Sequence, residues 1–239
     1  MNRNARAALV LSAAAVAATT LVASAAAATG SVSRSQTVQK SPSFAGYEVS
    51  KPTAHVNTAT ATFTVPTITC KKNFSGVGPS LVVQTTPNKH NIYTDEIAAV
   101  GVGCENKQPA YESIIQINGH SYNDLPFAAN DKVKVTVTVR KQRTAVTVED
   151  VTSDAHKTRT SSGRVGATAY IGDLGLIINS KKTGLDAFSK TSFTDVSVNT
   201  KSLAKEKAQA FDWTHGKTVK VAVSKLSKGK DFTLTFKHS

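Results

Sequence analysis

The chain has 239 residues, of which 40% are hydrophobic and 19% are charged. This composition supports a packed core and excludes wholesale disorder, and the length suits one large all-β domain or two small domains. The 29 basic and 16 acidic residues give a formal net charge of +13, which favours anionic partners such as a cell-wall polymer. A charge that only aids solubility is an equally good explanation, and no nucleic-acid-binding motif accompanies it.

The N-terminus has the parts of a secretory signal peptide, which we predict over residues 1–28. A basic start ends at Arg6, a run of small and apolar residues covers 7–22, and Ala-rich sequence up to Ala28 offers a cleavage region. A membrane anchor is the alternative, but the run is too short and Ala-rich for a spanning helix. No later stretch is apolar enough to cross a bilayer. We therefore expect a secreted protein with no membrane span after the signal is removed.

Export places Cys70 and Cys104 in an oxidising compartment, where a disulfide is the expected state of two cysteines. A nucleophilic thiol is the alternative, and it needs a partner histidine and an odd number of cysteines. The six histidines form no i,i+4 pair and no cluster with cysteine, so we expect no metal site. No glycine-rich phosphate loop leads from a strand into a helix, so we expect no cofactor.

Residues 29–41 are rich in Ser, Thr and Gln and predict a flexible segment or short propiece ahead of one folded domain at 42–239. Within that domain, runs that alternate apolar and polar residues predict β-strands. In chain order, the predicted strands are Ala59–Pro66, Ser80–Gln84, two runs joined by a Pro-containing turn within Asp95–Asn118, Lys132–Arg140, Thr144–Val148, Ala187–Val198, Val219–Val223 and Phe232–Phe236.

The clearest strand is Lys132–Arg140, where valine occupies every second position and polar residues lie between. By contrast, residues 163–175 predict a Gly-rich connection, and Ser202–Phe211 is the only helix-like window. Many short alternating strands and almost no helix predict an all-β fold. We expect an antiparallel β-sandwich of two sheets, of the concanavalin or lectin-like jelly-roll type.

Four acidic residues gather in the stretch from 95 to 118, namely Asp95, Glu96, Glu105 and Glu112. Two carboxylates whose environments separate their pKa values can share acid–base catalysis. Acids in an exposed turn region are more often simply solvated, so both interpretations remain open for this group.

Several segments follow one another in a recognisable order and spacing, namely Phe44–Tyr47, Ala61–Pro66 followed by Cys70, Gly103–Cys104, Pro109–Tyr111, Asn130–Val137 and Leu185–Thr194. Their order and spacing resemble the glutamic peptidase (eqolisin) family, in particular its bacterial secreted branch. Together they are collinear with the family over about residues 44–236, which is nearly all of the mature chain.

The resemblance implies a β-sandwich with the substrate on one concave sheet face. In the family, a glutamate activates water as general base, and a glutamine orients that water and stabilises the tetrahedral intermediate. Carried over by position, the glutamine falls on Ile97, and the two glutamates of an Ala-Glu-x-Ile-x-Glu segment fall on Ala169 and Asp173. Ile97 cannot orient water and Ala169 cannot accept a proton.

Neighbouring family positions also differ in this chain. Glu96 retains a family glutamate, Thr86 replaces the aspartate of a Gly-x-Asp-Gly loop, and the residues from Ile114 to Gln116 replace Trp-Tyr-Glu. We expect these changes to leave a binding cleft. Its predicted residues are Gln84, Thr86, Glu96, Ile114, Gln116 and Asp173.

The sequence therefore predicts a secreted glutamic-peptidase-like monomer that is catalytically degenerate and binds peptide or an anionic cell-wall polymer. The alternative is an active secreted acid endopeptidase, in which Glu96, Gln116 and Asp173 rebuild an altered Glu/Gln dyad. A purely structural exported protein is the third hypothesis.

Overall fold

The computed structural model describes residues 37–50, 55–71, 76–86, 95–174 and 186–237. Within these ranges the chain forms 19 β-strands and no α-helix, so no helix there is long and apolar enough to span a bilayer. The predicted signal peptide lies outside the described residues. The last three residues of the predicted flexible segment 29–41 form a short strand.

The strands are numbered in chain order. Their bounds are β1 Gln39–Ser41, β2 Phe44–Ser50, β3 Thr58–Thr64, β4 Ile68–Thr69, β5 Gly76–Val77, β6 Pro79–Thr85, β7 Asp95–Glu105, β8 Gln108–Ile117, β9 His120–Tyr122, β10 Lys132–Val139, β11 Arg143–Asp150, β12 Ala155–Ser162, β13 Gly166–Leu174, β14 Ala187–Phe188, β15 Thr191–Val198, β16 Lys201–Ser202, β17 Gln209–His215, β18 Thr218–Val223 and β19 Phe232–Phe236.

The strands form two layers. The first sheet has the order β12–β11–β10–β3–β15–β19, and the second sheet has the order β17–β2–β13–β6–β7–β8–β9. β18 pairs with both β17 and β19, so the hydrogen-bonded ladder continues around one edge from sheet to sheet. Among the described strands, only the pairing of β1 with β17 is parallel. The predicted antiparallel sandwich is therefore confirmed.

The core lies between the two sheets, where β10 and β11 cross β6, β7 and β8. The predicted valine stripe of β10 faces this core, and Val133, Val135 and Val137 are fully buried. They pack in one cluster with Val100 and Ile115 of the second sheet. Burying each such side chain stabilises the fold by about 1.5–3 kcal/mol relative to leaving it exposed.

The hairpin of β7 and β8 confirms the two extended runs predicted within Asp95–Asn118. The position of the turn differs, because it is made by Asn106 and Lys107, whose φ angles are 49° and 61°. Two left-handed residues match the twist of a tight two-residue hairpin. Pro109 lies inside β8, opposite Cys104, and takes no part in the turn.

Residues 163–175 were predicted as a connection, yet they contain a central strand of the second sheet. β13 pairs with β2 on one side and with β6 on the other. Gly172 faces Gly46 across the first pairing, with φ angles of 156° and 145°. A Cβ on Gly172 would lie 2.0 Å from the Ala45 carbonyl oxygen. The glycines therefore permit a close approach of two strand backbones.

The prediction of a helix-like segment at Ser202–Phe211 is wrong. Residues 203–207 form turns, Lys207 has a left-handed φ of 53°, and β17 begins at Gln209. Leu203 and Ala208 are both buried in the core, and the Ala208 N–H donates to the Leu203 carbonyl at 3.0 Å. Burial of these apolar residues from a tight turn outweighs the modest helix propensity of the segment.

The predicted disulfide is confirmed between Cys70 and Cys104, whose Cα atoms are 5.7 Å apart. It joins the residue after β4 to the end of β7. The two cysteines are 34 residues apart in the chain, so the bond restricts a substantial loop in the unfolded state.

We predict that replacing both cysteines with alanine lowers the free energy of unfolding by about 3–4 kcal/mol, because the unfolded chain regains the entropy of that loop. Urea denaturation of the oxidised protein and of the Cys70→Ala/Cys104→Ala variant measures the difference. Wild-type protein kept in reductant serves as a control and should match the variant. Equal midpoints for the oxidised protein and the variant would contradict the prediction.

Candidate functional site

The pleat of the second sheet separates its central side chains into two sets. The inner set faces the first sheet and belongs to the main core, as Val83, Ala98 and Ala169 do. The opposite surface, which we call the outer face, carries a second apolar cluster. Its members are Val82, Ile97 and Ala99, with Ile114 and Tyr170 packed against them.

Ile97 lies in the middle of the outer face. Strand register places it beside Val82 on β6 and beside Gln116 on β8, and Val82 is in turn opposite Tyr170 on β13. Its side chain is 8% exposed. The centre of this face is therefore hydrocarbon, which can neither orient water nor donate a hydrogen bond to an oxyanion.

Aromatic rings border the outer face on the side of β2 and β17. Phe44 contacts Tyr170 edge-on with ring centroids 5.6 Å apart, and Phe211 follows at 6.0 Å from Phe44. Glu48 is opposite Tyr170 in the β2–β13 pairing. Burial raises the pKa of Glu48, and burial followed by the nearby charges of Glu48 and Asp95 raises the pKa of Tyr170.

An acid and two amides meet where β6 ends and β7 begins. The Gln84 Nε2 donates to Asp95 Oδ1 at 3.3 Å, and the Gln116 Nε2 donates to the Asp95 carbonyl oxygen at 3.3 Å. Asp95 belongs to the acidic group seen in the sequence but is not among the predicted cleft residues. The alternation of side chains along a strand could have identified it, because Asp95 is two residues from Ile97 and is therefore on the same face of the sheet.

Glu96 faces the opposite way and is fully buried on the inner side of the sheet. Its Oε2 accepts a hydrogen bond from the Asn118 N–H at 3.0 Å, and its Oε1 lies 3.8 Å from Arg164 Nε. Burial raises the pKa of Glu96, while the Asn118 hydrogen bond and the Arg164 charge oppose that rise. The structure therefore does not bring Glu96 together with Gln116, because the two side chains are on opposite faces.

Asp173 is also fully buried, and the alternation that places Ala169 and Ile171 in the core places it on the inner side. Its Oδ1 accepts a hydrogen bond from the Gly78 N–H at 2.6 Å. Burial raises the pKa of Asp173 to about 7. The three positions carried over from the family thus do not share a face, since only Ile97 is on the outer one.

The remaining predicted cleft residues lie on β6 and β8 or directly after β6. Gln84, Ile114 and Gln116 share the outer face, whereas Thr86 is exposed beyond the end of β6, where its N–H donates to the Val165 carbonyl at 2.8 Å. The other acids of the predicted cluster, Glu105 and Glu112, are exposed on the hairpin toward its turn. Among the described residues, no group of three or more His, Cys, Asp or Glu side chains is placed to hold a metal ion.

The fold and the outer face together define a β-sandwich protein that presents apolar, carboxylate and carboxamide side chains from one sheet. A sequence model of the Peptidase A4 family matches residues 42–236. The chain therefore belongs to the Peptidase A4 family, which confirms the glutamic peptidase family resemblance. A comparison with curated protein sequences gives no match.

Two solved structures show the same fold. Scytalido-glutamic peptidase with a peptide-based transition state analogue is 17% identical, with a TM-score of 0.63 over 82% of this chain and 98% of that chain. SCP-B, a member of the eqolisin family in complex with the tripeptide Ala-Ile-His, is 15% identical, with a TM-score of 0.61 over the same shares. These similarities confirm the predicted all-β sandwich.

The buried carboxyl of Asp173 should make the protein more stable in acid. Its pKa is about 7 in the folded protein against 3.8 for the unperturbed group. Its contribution is therefore fully present below pH 3.8 and is lost as the pH rises through about 7. The shift corresponds to a loss on the order of 4 kcal/mol.

We predict that Asp173→Asn removes this loss, because the amide keeps an acceptor for the Gly78 N–H and never ionises. Chemical denaturation from about pH 3 to pH 8 should show a free energy of unfolding that falls more steeply in wild type than in the variant. The exposed Asp154→Asn is the control and should follow wild type. Parallel curves for wild type and Asp173→Asn would show that the buried carboxyl does not set the slope.

Proposed function

We propose that this chain is a secreted member of the Peptidase A4 family that binds extended peptide on the outer face of its second sheet without hydrolysing it. The observation that carries the proposal is the apolar centre of that face, formed by Ile97 with Val82, Ala99 and Ile114. The position that the family resemblance assigns to a catalytic glutamine holds one of these aliphatic side chains.

The chemistry of peptide hydrolysis supports this interpretation. The reaction needs a base for the attacking water and donors for the developing oxyanion, and loss of a single oxyanion donor costs about 10²–10³ in rate. Ile97 supplies neither function. Ala169 and Asp173 are on the inner side, where Asp173 is held against Gly78, so neither can reach a substrate on the outer face.

The same surface suits an extended peptide. Alternate side chains of a bound peptide could pack on the aliphatic cluster and on the rings of Phe44 and Tyr170. The backbone amides of the peptide could form hydrogen bonds with Gln84, Asp95 and Gln116, where β6 ends and β7 begins. Both similar structures hold peptide-type molecules, a transition state analogue in one and a tripeptide in the other. The predicted signal peptide and the disulfide support the secreted location.

We expect no cleavage of a denatured protein substrate by the purified mature protein between about pH 2 and pH 8. An active glutamic peptidase in the same assay is the positive control. Electrophoresis and mass spectrometry detect the fragments. Reproducible cleavage that copurifies with the protein would contradict the non-catalytic proposal.

An active endopeptidase is the second candidate, and the group of Asp95 with Gln84 and Gln116 favours it. Here Asp95 would accept the proton of water and an adjacent amide would donate to the oxyanion. The cleavage assay separates the candidates when Asp95→Asn is run beside Glu105→Gln, an exposed acid near the other end of β7. Activity lost only in Asp95→Asn would identify the rebuilt catalytic group.

Peptide binding provides the complementary test. We predict that the tripeptide Ala-Ile-His shifts backbone amide NMR signals of β6, β7 and β13 more than those of the first sheet. Ile114→Asp should weaken its affinity at least about tenfold, which is about 1.4 kcal/mol, because a charge replaces apolar contact area. The matched control is Val151→Asp, at an apolar side chain that is 42% exposed on a turn away from the outer face. Shifts spread over both sheets, or equal affinities for the two variants, would reject the outer face as the site.

A further inference from the structure

A basic pocket lies at one end of the sandwich, away from the disulfide. It is a cavity of about 400 Å³ where the turn from β10 to β11, the link from β12 to β13 and the segment before β3 meet. Its lining residues are His55, Asn57, Arg140, Lys141, Gln142, Arg164 and Val165. None of them belongs to the aliphatic cluster or to the acid–amide group of the outer face.

Backbone hydrogen bonds hold the walls of this pocket in place. The Arg164 N–H donates to the Arg140 carbonyl at 3.0 Å, and the Val139 N–H donates to the Asn57 carbonyl at 2.9 Å. Gly163 packs so closely that a Cβ there would lie 2.0 Å from the Lys141 carbonyl oxygen. The three segments are therefore joined directly, and the charged side chains project from a connected frame.

The pocket has an excess of positive charge. Arg140, Lys141 and Arg164 line it, and the described lining residues include no carboxylate. Arg164 Nε lies 3.8 Å from the Glu96 carboxylate, so one of the three cations has an acidic partner and the other two remain in excess. Among the described residues, neither Arg140 nor Lys141 has an acidic side chain within ion-pair distance.

The guanidinium of Arg164 is only partly satisfied: its Nη2 donates to Asn118 Oδ1. Arg164 Nε is buried and has no hydrogen-bond partner among the described residues. Guanidinium groups offer several fixed donors that match the oxygens of an oxyanion, and a lysine adds a mobile point charge. The side chains of Gln142 and Asn57 add neutral amide donors at the same cavity.

We propose that this pocket binds a phosphate group carried by a larger anionic molecule. A phosphate monoester offers oxygens in several directions and close to two negative charges at neutral pH, which suits a pocket lined by three cationic side chains better than a carboxylate with one charge. The exposed Arg140 and Lys141 border solvent, so the rest of an anionic chain can extend away from the cavity. The pocket and the proposed peptide site share no lining residue, so variants can test them separately.

The test uses the full mature protein with inorganic phosphate and tripolyphosphate as probes in isothermal titration calorimetry. The variant is Arg140→Ala/Lys141→Ala, whose side chains are exposed and whose backbone hydrogen bonds remain. The matched control is Lys190→Ala/Lys237→Ala, which removes the same charge from exposed positions. Lys190 directly precedes β15, whereas the pocket lies beside the other end of that strand, where the Asn199 Nδ2 donates to the His55 carbonyl.

We expect wild type to bind tripolyphosphate with a Kd of about 1 mM or tighter and inorganic phosphate more weakly. The pocket variant should lose at least about tenfold in affinity for tripolyphosphate and the control less than about twofold. Equal losses in both variants would assign binding to diffuse surface charge and overturn the proposal. The phosphate assignment would be overturned if tripolyphosphate did not bind. It would also be overturned if the carboxylate polymer polygalacturonate bound equally tightly through Arg140 and Lys141.

Discussion

The two-residue period of a β-strand constrains every side chain in the middle of the second sheet. Inner side chains must fill the space between the sheets at close packing, and aliphatic residues such as Val100 and Ile115 do so. Outer side chains do not meet the first sheet, and there the strands carry Gln84 and Asp95 beside the buried Val82 and Ile97. A register slip of one residue would exchange the two sets. The packed core is therefore what holds the outer face in its arrangement.

The same constraint accounts for the behaviour of the buried acids. Glu96 and Asp173 share the inner side with the hydrophobic core, where they are out of contact with water and each accepts a backbone N–H. Burial disfavours the ionised form, so the pKa of both carboxyls rises. Both carboxyls therefore influence how the free energy of unfolding changes with pH. Their position on the inner side keeps them away from the outer face.

Arg164 connects the two surfaces for which we propose ligands. It lines the basic pocket and also pairs with Glu96, which directly precedes Ile97 on β7. Its guanidinium donates to the Asn118 side chain at the end of β8 as well. A single residue thus lines the cationic pocket and, through Glu96, contacts the strand that carries the apolar centre of the outer face.

The amino-acid sequence alone was enough to establish the all-β class, the disulfide and the family, because these depend on local alternation, on cysteine count and on segment order. It also predicted that Ile97 lies at the position of a catalytic amide of the family. The folded structure was needed to establish which acids share a face with Ile97: Asp95 is on the outer face, and Glu96 and Asp173 are inside. Neighbouring residues of a strand point to opposite faces, so a positional match that shifts by one residue moves a side chain from the site into the core. The basic pocket likewise depends on three segments that only the folded chain brings together.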